Sequence, residues 1–203
     1  MTKISQEKQH KTTTRKCSKC RQVKNLKLAF DKMGSSKTRY RRTCKSCTKH
    51  YVYIIQEKYH KKSRQPHTYC GYTTDPDHRL LQHQGHLSGG ARRTSSMQDL
   101  SFSLVIDGYL DMEDAMRFEK KIKKARGLSN RLQYACALMK MNKWYKKSVA
   151  LKDRSSTDFN FYWYVQPSDY GIQIDELETL VPILHHYLIE DDDAISNCSA
   201  RVA

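Results

Sequence analysis

No stretch of the 203 residues approaches the ~18 consecutive apolar positions that a membrane-spanning helix needs. Met1 to Lys16 is polar and basic without an apolar run, which argues against a signal peptide and for an intracellular protein. Apolar residues make up only 38% and the mean hydropathy is -0.81. Cores are therefore modest, and the length suits one ordinary domain plus a small one. Acids are scarce where most of the chain lies: residues 1–152 hold 11 Asp/Glu against 35 Lys/Arg, a balance of +24. Residues 153–203 reverse this, with 10 acids against 2 bases, and the whole chain carries +16. So basic a body fits a nucleic-acid binder, because Lys and Arg release counterions from a phosphate backbone; a merely soluble cationic protein is the alternative. Seven cysteines, an odd number with four in two close pairs, do not make a secreted disulfide framework.

What is present begins with those pairs. Cys17-Ser18-Lys19-Cys20 and Cys44-Lys45-Ser46-Cys47 each place two thiolates two residues apart. One pair grips a tetrahedral zinc from one side and the second closes the shell, leaving no open position, so the metal reads as structural. Such a site contributes on the order of 10 kcal/mol to folding, which a segment poor in large apolar residues needs. A redox dithiol is the competing reading. Phe30 to Gly34 and Arg39 to Arg42 suggest a hairpin with a basic edge between the pairs.

Further on, Tyr51 to Ile55 reads as a strand, with a helix running on from Cys47 as the alternative. Thr68 to Thr73 is its hairpin partner across a polar loop, Gln56 to Pro66. Asp75-Pro76 signals a helix start, an N-cap acceptor followed by proline where the missing N–H costs nothing. On that helix Arg79 and His83 share a face, while Leu80 and Leu81 turn toward a core. A guanidinium beside an imidazole suits a phosphate, against the plainer reading of a solvated basic face. Gly85 to Thr94, with three glycines and two arginines, suits a mobile loop approaching phosphates or an ordinary surface loop. Phe102 to Ile106 is a third strand. Asp111 caps a helix from Met112 to Lys124, whose inward stripe is Met112, Ala115, Met116 and Ile122. Glu119 falls within that stripe, and an ionised carboxylate there needs a cation, either a buried arginine or a metal ion. Leu128 to Met139 is a further helix, Phe159 to Val165 a strand, and Ile174 to Leu188 a helix interrupted near Pro182. Cys70 and Cys136 read as core residues, and His185 and His186 as helix surface.

Val52-Tyr53, Tyr69-Cys70-Gly71, Arg79, His83, Gly89-Gly90-Ala91-Arg92-Arg93-Thr94 and Arg117-Phe118-Glu119, taken in order, resemble the GIY-YIG nuclease superfamily. Within it they are most similar to the structure-specific endonucleases that cut branched DNA. Tyr51 stands where the family has glycine, and Cys70 where it has an aliphatic residue. The resemblance spans roughly residues 51–151. The cysteine segment separately resembles the treble-clef zinc modules of recombination endonuclease VII and related phage proteins. Together these imply an α+β fold: a small mixed or antiparallel three-stranded sheet flanked by helices, an N-terminal zinc module and a C-terminal α/β extension. The implied divisions are a disordered basic arm (1–14), the four-cysteine zinc module (15–50), the nuclease core (51–126), a helical extension (127–152), a strand and helix region (153–190) and an acidic disordered tail (191–203).

The implied activity is metal-dependent phosphodiester hydrolysis on branched DNA, in repair or recombination. A sequence-specific homing or restriction nuclease and a catalytically inactive zinc-containing nucleic-acid binder are the alternatives. Glu119 would hold Mg²⁺ or Mn²⁺ alone, since no second carboxylate cluster exists for a two-metal site. Arg79 would neutralise charge on the phosphorus centre. Tyr53, helped by Tyr69 or His83, would accept the proton of the attacking water. Arg92, Arg93, Lys120 and Lys121 would bind DNA. The branch usually carries a C-terminal RING-type zinc domain, but here only Cys198 lies beyond Cys136, so a scaffold partner bound through that domain does not carry over. The region from 153 onward would dock a partner, mediate self-association or shield the basic cleft. The protein would work beside DNA in a nucleus or viral replication site, or in the cytoplasm for a phage or bacterial source.

Overall fold

The computed structural model describes residues 13–33, 36–58, 67–141, 143–146, 149–153, 158–180 and 184–189. Most of the basic arm (1–12), most of the Gln56 to Pro66 loop, Pro182 and the acidic tail with Cys198 lie outside the described residues. Two compact units divide the chain, residues 1–48 and 49–203.

Among its described residues the first unit is built around thiols, with few large apolar side chains to bury. Strands β1 (Thr14–Lys16) and β2 (Val23–Asn25) pair antiparallel and present the Cys17 to Cys20 turn at their tip. The Cys17 N–H donates to the Gln22 carbonyl at 2.9 Å, and Arg21 takes a left-handed φ of 60° to close the turn. Helix α1 (Leu26–Ala29) follows, its first N–H groups capped by the Asn25 side chain. The second hairpin is where the residue pattern puts it: Lys32 bridges Tyr40, the Met33 N–H donates to Arg39 at 2.9 Å and the Arg41 N–H to Asp31 at 2.8 Å. A short 3₁₀ turn, Lys45–Cys47, carries the second cysteine pair. Among the described residues the buried cluster is Cys17, Phe30 and Cys44, with Leu26, Ala29, Tyr40, Cys20 and Cys47 packed around it.

The second unit is a sheet covered on both faces. Its strands are β3 (Tyr51–Glu57), β4 (Thr68–Thr73), β5 (Leu100–Asp107), β6 (Phe159–Trp163) and β7 (Leu184–Leu188), in the spatial order β4-β3-β5-β6-β7. All neighbours run antiparallel except β6 and β7. The three strands expected form one side of it, and the C-terminal extension adds two more to the same sheet. Interior strand β3 sends Val52 and Ile54 to one face and Tyr51, Tyr53 and Ile55 to the other. Both sets are buried, so the strand reads as a continuous apolar run. Helices α3 (Met112–Ile122) and α4 (Leu128–Lys140) cover the Val52 face, where Phe118, Tyr109, Trp144 and Phe159 meet at ring separations of 5.1 to 6.4 Å. Helix α2 (Pro76–His83) lies on the Tyr53 face.

Three local readings change. Of the supposed inward stripe of α3, Met112 and Met116 are 47% and 46% exposed. The buried positions are Asp114, Ala115, Phe118 and Ile122, which rotates the apolar stripe and leaves Glu119 at its edge. On α2, Leu81 is exposed, Leu80 packs partly buried against the Tyr53 cluster, and Pro76 and His83 are buried. Beyond α5 (Ile174–Leu180) the chain does not continue as helix: Leu184 to Leu188 pairs in parallel with β6, so His185 and His186 are strand residues. His186 accepts a hydrogen bond from Trp163 Nε1 at 2.8 Å. Ladder bonds to β6 outweigh the helical spacing of that segment. Cys70 and Cys136 are buried in the core as expected, and burial pushes their thiols up to about 11 and about 12.

Phe118 is fully buried at the centre of the aromatic cluster. Phe118→Ala is expected to destabilise the second unit by about 3–5 kcal/mol, measured as a shift of the urea unfolding midpoint at unchanged slope.

Candidate active site

Tyr53 lies directly opposite Gly71 in the β3/β4 ladder. A Cβ on Gly71 would sit 2.3 Å from the Tyr53 hydroxyl oxygen, so only glycine lets that ring lie across β4. The phenol reaches α2 on the far side, where its oxygen is 2.6 Å from His83 Nε2 and accepts from Arg79 Nε at 3.3 Å. Arg79 and His83 are brought there by the helix start read from the sequence: the Asp75 side chain accepts from the His78 N–H at 3.1 Å, with Pro76 following. Tyr69 packs beside them, its ring 5.0 Å from that of His83 and 6.4 Å from that of Tyr53. Four of the expected residues thus share one corner of the sheet.

The glycine-rich segment is tied to α2. Arg79 Nη1 donates to the Gly89 carbonyl and to Gln82 Oε1, both at 2.8 Å. Gln82 Nε2 donates to the Ser88 carbonyl at 3.0 Å. A Cβ on Gly90 would lie 2.4 Å from the Gln82 carbonyl oxygen, so the backbone of the loop packs against the helix. Thr94, buried, places its hydroxyl 2.8 Å from His83 Nδ1. Gln82 and Thr94 were not among the candidates read from sequence. For Thr94 the only signal was its place at the end of the Gly-Gly-Ala-Arg-Arg-Thr run. Arg92 and Arg93 stand exposed on this loop.

Burial and the Arg79 guanidinium push His83 down from its ordinary 6.5 to about 4, so the imidazole is neutral near pH 7. Burial holds the Tyr53 phenol well above its ordinary value, against the opposing pull of Arg79. Glu119, on α3, makes no hydrogen bond to the Tyr53, Arg79 and His83 group among the described residues; its negative charge is a minor influence on the Tyr53 phenol and adds to the rise of the Cys70 thiol. Its carboxylate is 12% exposed and pairs with Lys123 Nζ at 2.5 Å. The cation met by this acid is thus neither a buried arginine nor one the sequence singled out, but a lysine one turn later, itself 46% exposed. Lys120 is exposed on the same helix. Lys121 lies nearly opposite Glu119 around α3, with its ammonium over the Tyr145 ring at 5.8 Å, and is not brought to the corner.

In the first unit, the sulfurs of Cys17, Cys20, Cys44 and Cys47 all lie within 4.8 Å of one another. A tetrahedral ion with bonds of about 2.3 Å needs sulfur separations of roughly 3.8 Å, and Cys20 and Cys44 are at 3.9 Å. Burial raises the Cys17 thiol, but the N–H groups of Cys44, Cys20 and Lys19 outweigh it and bring it to about 6. Lys24 Nζ adds positive charge 3.4 Å from Cys44 Sγ. Donor set, spacing and a ready thiolate all fit a metal held by four sulfurs.

Comparison with known proteins adds three relatives and a domain. The model of the GIY-YIG catalytic domain matches residues 49–133. A structure-specific endonuclease subunit SLX1 homolog of Cryptosporidium parvum is 34% identical over 70 residues, 34% of this chain and 16% of that protein. The homolog of Caenorhabditis briggsae is 29% identical over 106 residues, 43% and 24% of the two chains. The structure-specific endonuclease subunit slx1 of Aspergillus fumigatus is 40% identical over 53 residues, 25% and 12%. The matched part of the chain spans less than a quarter of the length of each relative.

The depressed His83 makes the second unit sensitive to acid. Its unfolded form takes up a proton near 6.5 and its folded form only near 4, so the contribution to stability is complete above pH 6.5 and lost as pH falls toward 4. The urea midpoint of the wild type is expected to fall more steeply across that window than that of His83→Gln, and parallel curves would show that His83 is not buried neutral.

Proposed function

We propose that the protein is an endonuclease that hydrolyses phosphodiester bonds in branched DNA such as flaps, forks and junctions, a reading supported by the match of residues 49–133 to the GIY-YIG catalytic domain. The observation that carries this reading is the Tyr53 oxygen, set between His83 Nε2 and the Arg79 guanidinium. Tyr53, backed by His83, takes the proton of a water as that water's oxygen bonds to phosphorus and the sugar oxygen departs. Arg79 places positive charge where the phosphoryl oxygens gain negative charge. A phosphate beside Arg79 also cancels part of the repulsion that holds His83 down, so substrate binding makes the imidazole a better proton acceptor.

Glu119 would hold one Mg²⁺ or Mn²⁺, releasing Lys123 to solvent or to a phosphate. The ion would supply charge to the phosphate and to the departing oxygen. Arg92, Arg93 and Lys120 supply backbone contacts for the DNA. The similarity to structure-specific endonuclease subunits supports a preference for branches over linear duplex. The four-cysteine cluster would carry structural zinc and hold the first unit together. An inactive DNA-binding protein is the second reading, favoured by the Glu119–Lys123 ion pair that already occupies the carboxylate.

Labelled flap, fork and four-way-junction DNAs, incubated with and without Mg²⁺, decide between the two. Nicking of branched DNA that needs Mg²⁺ and falls about 100-fold to 1,000-fold in both Arg79→Ala and Glu119→Gln is expected. Activity surviving both substitutions would place the site elsewhere, and equal cutting of linear duplex would remove the branch preference. For the first unit, elemental analysis should find one zinc per chain, lost in a Cys17→Ser variant; a metal-free wild type with oxidisable thiol pairs would restore the redox reading.

A further inference from the structure

His83 is held at both ring nitrogens, and the two contacts are not equivalent. Nε2 meets the Tyr53 hydroxyl at 2.6 Å and Nδ1 meets the Thr94 hydroxyl at 2.8 Å. A neutral imidazole carries one proton, so one of these contacts donates and the other accepts. Which is which follows from the far side of Thr94. Its Oγ1 also lies 2.8 Å from the Ala91 carbonyl oxygen, a group that only accepts. The hydroxyl has a single proton. Were it turned to His83, two lone pairs would face each other across the 2.8 Å between Thr94 and Ala91, inside a site where Thr94 and His83 are both buried. The Thr94 proton therefore goes to Ala91, its oxygen is left to accept, and His83 Nδ1 must carry the hydrogen. Nε2 is then a bare lone pair.

We propose that Thr94 is a positioning residue that sets the tautomer of His83, fixing the direction in which Tyr53 can give up its proton. With Nε2 unprotonated, the Tyr53 hydroxyl donates to His83 and accepts from Arg79 Nε, leaving one lone pair of the phenol oxygen open for a water. In the opposite tautomer two N–H groups, Arg79 Nε and His83 Nε2, would fill the phenol oxygen and its own proton would point at the water. The same atoms would then oppose proton abstraction. The groups facing the imidazole are Tyr53 from β3, Tyr69 from β4, Arg79 on its own helix and Thr94. Among the described residues only Thr94 has a hydrogen bond with Nδ1, so the choice of tautomer rests on Thr94. The glycine-rich loop thus acts on both functional side chains of α2: Gly89 holds Arg79 and Thr94 holds His83.

The kinetic consequence rests on the nuclease reading above; the tautomer itself does not. Long-range ¹H–¹⁵N correlation spectra of the full chain at neutral pH read the tautomer directly, with His83→Gln assigning the signal. The wild type is expected to show His83 protonated at Nδ1. Thr94→Val, similar in shape but without the hydroxyl, should move it toward the Nε2-protonated form and lower kcat on a branched DNA about 10-fold to 100-fold, with KM changed by less than about twofold. Thr94→Ser should restore both. Wild-type His83 protonated at Nε2 would overturn the proposal, as would a folded Thr94→Val that keeps the original tautomer or full kcat. If Thr94→Val does not fold, the wild-type spectrum and Thr94→Ser still decide. If the wild type itself fails to cut DNA, the nuclease reading falls while the spectrum continues to test the role of Thr94.

Discussion

The second unit is organised around one crowded contact, the Tyr53 phenol lying over Gly71. A side chain at residue 71 would occupy the space of that hydroxyl, whose distance to the hypothetical Cβ is 2.3 Å. Because the space is free, a residue of interior strand β3 reaches past the edge strand β4 to a helix on the same face. The hydroxyl then becomes the point at which β3, β4 and α2 meet. Burial makes this polar junction costly to leave unsatisfied, and every group in it has a partner. The chain of contacts runs from Ala91 through Thr94, His83 and Tyr53 to Arg79, and returns to the loop at Gly89.

The closed ring of contacts changes what the glycine-rich loop is for. Flexibility near a phosphate is a natural reading of three glycines and two arginines, yet Gly89 and Gly90 are pressed against Gln82. Small residues here permit close packing of the loop on the helix. The arginines stay exposed while the loop backbone orients the side chains beneath it. Positive charge is thus divided between groups held in place, such as Arg79, and groups free to meet a polyanion, such as Arg92.

The first unit obeys a different constraint. Among its described residues Phe30 is the one large side chain in the buried cluster, so apolar burial there is small. The thiols gather where a metal can replace a core, and nearby N–H groups favour the ionised form of Cys17 as Lys24 does that of Cys44.

Local chemistry alone determined a good deal. The cysteine spacing, the Asp75-Pro76 helix start, the strand character of Tyr51 to Ile55 and the pairing of Arg79 with His83 on one face all follow from short-range rules. They hold in the structure because their causes lie within a few residues. The rest depended on partners distant in sequence. Leu184 to Leu188 is a strand because β6 offers ladder bonds, and the α3 stripe turns toward Phe118 because Tyr109 and Trp144 wait there. His83 found Thr94 eleven residues on because folding laid the loop over its helix, whereas Glu119 met Lys123 one turn along its own helix, a spacing already legible in the sequence. Spacing in a sequence states which residues of one element share a face; only the packed sheet decides what that face meets.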